Sequence, residues 1–354
     1  MKSIYTILAM LWLVLPLSAQ LNVAAYPYLA YSSETRAFLG AFSFVRYDFA
    51  SEDDPLSPNM ISLLGNTIYS QNRQFLLALI PAYELSGFSL ESSIVLKNWP
   101  DTFYGIGNET VDDVHEGFTA ESYSAESTFR YYISQRLSVA LQSDIGKHVI
   151  HKVQGDGMLE NSSIIGKKDG QFSGLGIVLK YDSSDKSYFP RGGTKLEIRQ
   201  IWFDPALGSD YGWHKQYFDA RTYIPLGDKH VLAMQTNLEI NEGDTPFYKY
   251  PELGKYLRAY DSKRFIDDVS LTARIEQRSF PFEIGFWRRL GFVAFAESGR
   301  VAQSFADLDI TDLHWSMGAG LRFSILPEER LNLRADFGFG ADSFNFIINA
   351  REVF

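Results

Sequence analysis

His314 and Ser316 stand two residues apart in LHWSMGAGLRFSI (313–325). A serine and a histidine within hydrogen-bond reach are the working pair of an acyl-ester hydrolase. In an extended chain this spacing puts both on one face, but about 6.5–7 Å apart at the backbone, too far for direct proton transfer. A lipase would need a serine from a neighbouring strand. The other histidines, His115, His148, His151, His214 and His230, form no metal motif. His148 and His151, at i and i+3, fall on opposite faces of a strand. ADLDITD (306–312) is acidic, but it lacks the spaced glycine and closing glutamate of a calcium loop. GIGNE (105–109) signals a turn and carries no nucleotide-phosphate fingerprint. The chain has no cysteine, which removes disulfides, thiol catalysis and cysteine metal sites. These residues call for no enzyme and no cofactor.

Charge is the chemistry that is left. KYLRAYDSKRF (255–265) carries Lys255, Arg258, Lys263 and Arg264 between two patterned segments. An arginine grips carboxylates in a planar fork that lysine cannot match. Whether Arg258 is a solvated loop charge or is held by distant acids depends on what encloses it.

The enclosing elements are strands. In VSLTARIEQR (269–278), Val269, Leu271, Ala273 and Ile275 alternate with Ser270, Thr272, Arg274, Glu276 and Arg278. In LNLRADFGFG (331–340), Leu331, Leu333, Ala335, Phe337 and Phe339 oppose Asn332, Arg334, Asp336, Gly338 and Gly340. Period-two alternation predicts strands with one apolar and one polar face. About sixteen such segments follow one another: 22–32, 35–49, 60–70, 74–84, 87–98, 117–133, 137–153, 168–182, 193–203, 212–224, 230–241, 268–279, 290–302, 313–325, 330–341 and 344–354. An even number of strands of roughly ten residues, with aromatics at 15% of the chain, predicts an antiparallel transmembrane barrel rather than a soluble sandwich. Closure is required, because an open sheet edge in lipid leaves backbone groups unpaired.

The rest of the sequence agrees. Residues 1–19 read as a secretory signal: Lys2, an apolar run Ile4–Leu15, and small residues at Ser18 and Ala19. The barrel is then expected over 20–354, in the outer membrane of a bacterium, with its lipids as partners. The net charge of −10 lacks the basic footprint of a nucleic-acid binder. Short turns at Glu84–Gly87, Ser134–Arg136, Pro225–Lys229 and Pro327–Arg330 alternate with long connections at 99–116, 154–167, 203–211, 242–267 and 303–312. The polar run 50–59 is long on the short side. The last residue is Phe354, after alternating Phe346, Ile348 and Ala350, with Glu352 interrupting the apolar row.

Several of these segments resemble the bacterial surface-antigen superfamily, the BamA/TamA-type barrels. SYFPRGGTKLEI (187–198) resembles its periplasmic turn and next strand, with Tyr188, Phe189, Pro190, Arg191, Gly192 and Gly193 as the turn motif. TFYGIGNET (102–110) resembles a motif of shorter members. KYLRAYDSKRF resembles the long-loop signature through Tyr256, Leu257, Arg258, Ala259 and Tyr260. ARIEQRSFPF (273–282) and FVAFAESGRV (292–301) resemble the two strands that follow. Phe354 resembles the C-terminal barrel signal. The resemblance implies a long extracellular loop folded into the barrel, its Arg258 meeting Glu276 and Glu297, with Asp336 as a third acid. It implies a role in outer-membrane biogenesis, inserting or translocating protein or lipid; a passive pore or structural barrel is the alternative, and a lipase a more distant one. Two residues depart from the family pattern: Ala259 replaces a glycine and Glu297 an aspartate. The first strand follows the signal closely, leaving no room for the periplasmic repeats (POTRA domains), so a separate partner is expected to supply those contacts.

Overall fold

The computed structural model describes residues 21–32, 34–48, 59–85, 87–153, 157–161, 163–185, 189–326, 331–350 and 352–354. The leader segment 1–19, the polar run 50–58, Tyr188 and the turn Pro327–Arg330 lie outside them. Sixteen antiparallel strands form one closed barrel, each hydrogen-bonded to its sequence neighbours and the last to the first. They are β1 (Leu21–Ser32), β2 (Arg36–Asp48), β3 (Met60–Ser70), β4 (Phe75–Leu85), β5 (Phe88–Phe103), β6 (Glu116–Tyr132), β7 (Leu137–Val153), β8 (Gly170–Asp182), β9 (Gly193–Phe203), β10 (Trp213–Pro225), β11 (His230–Gly243), β12 (Val269–Ser279), β13 (Leu290–Ala302), β14 (His314–Leu326), β15 (Leu331–Phe339) and β16 (Phe344–Ala350). No helix among the described residues is long and apolar enough to cross a membrane; the strands do so.

Burial inverts the usual rule, and that inversion separates a membrane barrel from a soluble sandwich. On β12 the polar face is buried, with Arg274, Glu276 and Arg278 at 5%, 0% and 0% exposure, while Ile275 on the apolar face is 40% exposed. Leu141, Leu175, Ile177, Met317 and Phe339 are likewise exposed. These apolar rows make the lipid-facing band, and the polar rows line the lumen. Exposed aromatics on neighbouring strands stack along this outer wall, as Phe337 does on Phe346 at 4.7 Å.

Two strands end where alternation does not place them. β5 runs on through Pro100 to Phe103, past the expected limit of 98. A proline has no N–H for the ladder and argues against a strand interior. Here Trp99, Asp101 and Phe103 face inward, and Phe103 packs with Phe118 and Phe247 under the long loop. That packing carries the strand onward. β16 stops at Ala350, not at 354. Residues 352–354 leave the wall and enter the lumen, which accounts for the interruption of the apolar row by Glu352.

One end carries the long connections 104–115, 154–169, 204–212, 244–268 and 303–313, and the short-turn end has three exceptions by length, of which 49–59 is one. Residues 183–192, which include Pro190–Gly192 of the turn motif, and residues 280–289, holding a 3₁₀ turn at Gly285–Arg289, are the other two. The longest connection, 244–268, joins β11 to β12 and folds back into the barrel. Its Leu253, Tyr256, Leu257, Ala259, Tyr260 and Phe265 form a buried cluster with Val301 of β13.

Candidate functional site

The loop is positioned by its own turns and by the strands that follow it. Leu257 N–H donates to Leu253 O at 2.8 Å, and Leu253 N–H to Phe265 O at 3.0 Å, so residues 253–265 close into a compact hairpin-like knot. The apolar side chains of this knot supply the burial that stabilises it in the lumen. Arg258 is carried to the tip of the knot and is 4% exposed.

Every acceptor near Arg258 comes from a lumen-facing strand position. Its main-chain N–H and its Nε donate to the two oxygens of Glu297 on β13, at 2.6 and 2.7 Å. Nη2 lies 2.6 Å from Glu276 on β12, and Nη1 3.3 Å from Asp336 on β15. The guanidinium also sits 3.4 Å from the ring centroid of Phe295, a cation–π contact. Burial alone would lower the pKa of this guanidinium; Glu276, Glu297 and Asp336 outweigh it and hold the pKa above its ordinary value. Alternation left the side of Glu297 open; it faces the lumen and is 3% exposed.

The acids are shared with further arginines that the sequence did not single out as a network. Glu276 accepts from Arg278 Nε at 2.8 Å. Asp336 accepts from Arg322 Nη1 at 2.5 Å and from Arg334 Nη1 at 2.7 Å. Arg322 Nε reaches Glu352 at 2.7 Å, and Arg278 Nη2 donates to Phe354 O at 2.8 Å. Arg278 and Arg274 lie 5.0 and 4.7 Å from the ring centroid of Phe354. Two charged chains therefore run from the loop to the tail, one through Glu276 and Arg278, the other through Asp336 and Arg322. Phe354 does not continue the lipid-facing row. It is buried with Phe189, Tyr223, Val231 and Ala233, so the turn motif and the last residue meet inside the barrel.

Of the remaining loop-motif residues, Tyr256 donates its hydroxyl to Glu239 on β11 at 2.6 Å. Burial, and then Glu239, raise the pKa of that phenol. Leu257 and Tyr260 are packed in the apolar cluster. Ala259 N–H donates to Ser316 Oγ at 3.1 Å, and its backbone is not left-handed. The close approach of this loop falls on the opposite wall. A Cβ built on Gly338 of β15 would lie 2.9 Å from the carbonyl carbon of Arg258 and 3.0 Å from Ala259 N, so the loop backbone rests on that glycine.

In the turn motif, Pro190 is buried and Arg191 half-buried; Arg191 Nη2 donates to Asp228 O. Gly193 has φ of +101°, the left-handed region that reverses the chain into β9. TFYGIGNET docks on the long loop from outside. Gly107 N–H donates to Ile266 O at 2.8 Å, and Arg264 reaches Thr110 and Asp112. Asn108 accepts from Val301 N–H at 3.2 Å. His314 and Ser316 are not paired with each other: His314 Nε2 contacts Asn108 O at 2.9 Å and its ring stacks on Phe265, while Ser316 serves Ala259. Asp309 is engaged by Arg300 and Thr311, and among the described residues no acidic or histidine group is arranged to hold a metal.

Residues 64–348 match the Omp85 superfamily domain. Among solved structures, the chain is similar to BamA from Haemophilus ducreyi lacking POTRA domains 1–3 (15% identity, TM-score 0.64, 94% of this chain and 70% of that one). It is also similar to CdiB from Escherichia coli (12%, TM-score 0.62, 95% and 63%) and CdiB from Acinetobacter baumannii (11%, TM-score 0.56, 94% and 60%). The two CdiB chains are spanned over less than two thirds of their length. No curated protein matches the chain in sequence.

Proposed function

The chain belongs to the Omp85 superfamily, as an outer-membrane β-barrel, and from that premise we propose that it acts in outer-membrane biogenesis, inserting or translocating protein or lipid through the β1–β16 seam. One observation supports this above the rest. Among the described residues β1 and β16 are joined in register at a single pair, Tyr31 opposite Ile348. Every other adjacent pair is joined over seven or more residues.

The tail explains the weakness of this junction. Continued as a strand, antiparallel register would bring Glu352 opposite Pro27 and Phe354 opposite Ala25. Instead Glu352 and Phe354 are held in the lumen by Arg322 and Arg278. The lower edge of β1 is left facing hydrocarbon, where unpaired backbone costs several kcal/mol per group. Such an edge is a template for an incoming strand. The loop anchored at Arg258 occupies the lumen, which favours a route through the wall over a passive pore.

The role read here is transport or assembly rather than catalysis, and a lipase gains no support from the separated His314 and Ser316. Residues 1–19 are proposed as the export signal, and a separate periplasmic partner as the source of POTRA-like contacts. The test is depletion of the protein, followed by the profile of outer-membrane proteins and surface lipids. Loss of other barrels or of surface lipid, restored by the wild-type gene, supports the proposal. An unchanged profile, with conductance from purified protein in a planar bilayer, would point to the pore.

A further inference from the structure

The connection between β12 and β13, residues 280–289, is built unlike its neighbours on the short-turn end. Residues 226–229 turn in four residues, LGDK, with a single apolar side chain, whereas 280–289 reads FPFEIGFWRR. Phe282, Ile284, Phe286 and Trp287 are 42%, 81%, 64% and 59% exposed. Gly285, with φ of +55°, reverses the chain in the middle of this apolar run. The run does not hang free below the barrel. Phe286 packs on Phe323 of β14 at 5.4 Å, and Phe282 on Phe292 of β13 at 6.1 Å and on Trp287 at 6.2 Å. Phe292 stands on the lipid-facing row of β13, so the segment folds outward and extends the apolar wall at its rim.

Two cations close the segment. Arg288 is exposed and Arg289 half-buried, and neither has a carboxylate within ion-pair distance among the described residues. Glu283, the acid of the segment, is taken up by Lys229 at 2.8 Å. Aromatic side chains followed by free arginines are the composition of an element that lies in a membrane surface. Indole and phenyl rings settle at the headgroup level, and guanidinium groups attract anionic headgroups. An exposed apolar patch rimmed by polar residues marks a membrane or protein interaction site.

We propose that residues 280–289 are an interfacial foot, embedded in the phospholipid leaflet at the short-turn end of the barrel, with Arg288 and Arg289 binding the phosphate of anionic phospholipid. The foot fixes the depth and tilt of the β12–β14 wall relative to the bilayer. The inference rests on the membrane-spanning barrel and not on the biogenesis role, so depletion phenotypes and the following measurements fail separately.

The absence of native cysteine makes a single label clean. The full chain carrying Ile284→Cys with a nitroxide is reconstituted in phosphatidylcholine vesicles with or without phosphatidylglycerol, and label depth is read from oxygen and water-soluble nickel collisions. The label is expected to be shielded from nickel and relaxed by oxygen. In parallel, the fluorescence lost on Trp287→Phe is expected to be quenched by brominated lipid, with brominated phosphatidylglycerol favoured. Replacing Arg288 and Arg289 by Gln is expected to abolish that preference, roughly fivefold per arginine if each contributes as a cation at an anionic surface. Heat-modifiable gel mobility confirms that each variant is folded. A nickel-accessible label, with Trp287 quenched by iodide and not by brominated lipid, overturns the proposal and leaves the segment as a face for a soluble protein. Equal quenching by both brominated lipids overturns the arginine contribution.

Discussion

Arg258 meets Glu297 twice, through its main-chain N–H at 2.6 Å and its Nε at 2.7 Å, so one carboxylate holds both the backbone and the side chain of the loop tip. Arg258→Ala keeps the first contact and loses the second, along with those to Glu276 and Asp336. It leaves buried acids without their cation, a loss of about 3–5 kcal/mol in comparable buried pairs. The expected outcome is cleavage of residues 244–268 by added protease at a concentration the wild type resists. Arg258→Lys keeps the charge but lacks the fork and restores resistance only in part. Wild-type resistance in both variants refutes the anchoring role.

Gly338 sets how closely the loop can approach. Gly338→Ala puts a Cβ 2.9–3.1 Å from the Arg258–Ala259 backbone and is expected to lift the loop tip, lowering protease resistance much as Arg258→Ala does. Ala259→Gly is expected to change stability by no more than about 1 kcal/mol, the usual cost of glycine freedom. If the glycine need lies at position 259 instead, the ranking of these two variants reverses in a thermal-shift series.

Much of this is legible in the sequence. Alternation placed most strand ends within a residue or two, because a wall with lipid on one side and a polar lumen on the other forces every second residue to one class. The Arg258, Glu276, Glu297 and Asp336 group follows from motif and facing, although alternation leaves the side of Glu297 open, because small residues crowd one side of its strand. What escaped was set by long-range packing. The extension of β5 past Pro100 depends on Phe118 and Phe247. The inward tail depends on Arg278 and Arg322. Neither leaves a local periodic signal. Gly338 looked like one more residue on a polar strand face, because nothing local reveals that another backbone rests on it.

Asp268, at the end of the long loop, is expected to make loop closure sensitive to pH. Burial, and then the neighbouring Asp267, push its carboxyl up to about 6, above the ordinary aspartate value. A group with a raised folded pKa binds its proton more tightly folded than unfolded, so its contribution is full below the unfolded pKa and is lost as pH rises through about 6. Resistance of the loop to protease is therefore expected to fall between pH 4 and pH 7, about the span of the two pKa values. Asp268→Asn is expected to flatten this profile while leaving the gel mobility of the barrel unchanged. A profile of the same slope in the variant assigns the effect elsewhere.

The seam offers the sharpest test of mechanism, because one residue pair carries it. Tyr31 and Ile348 are directly opposite, and in antiparallel pairs opposite residues have Cβ atoms about 4.5–5.5 Å apart, near enough for a cysteine pair to bridge after a small adjustment. Tyr31→Cys with Ile348→Cys, in a chain free of other cysteines, is expected to lock β1 to β16 under oxidation. If the seam opens during function, the oxidised variant fails to complement depletion and reductant restores it, while each single cysteine variant behaves as wild type. Releasing the tail acts in the same sense, by lengthening the ladder rather than by bridging it. Phe354→Ala removes the ring held by Arg274 and Arg278, freeing residues 352–354 to pair along β1. The expected signature is a new cross-link between cysteines at Leu29 and Ala350, formed more readily with Phe354→Ala than without it. Full complementation by the locked barrel would show that transport does not pass through this seam, and an unchanged cross-link would show that Phe354 does not hold it open.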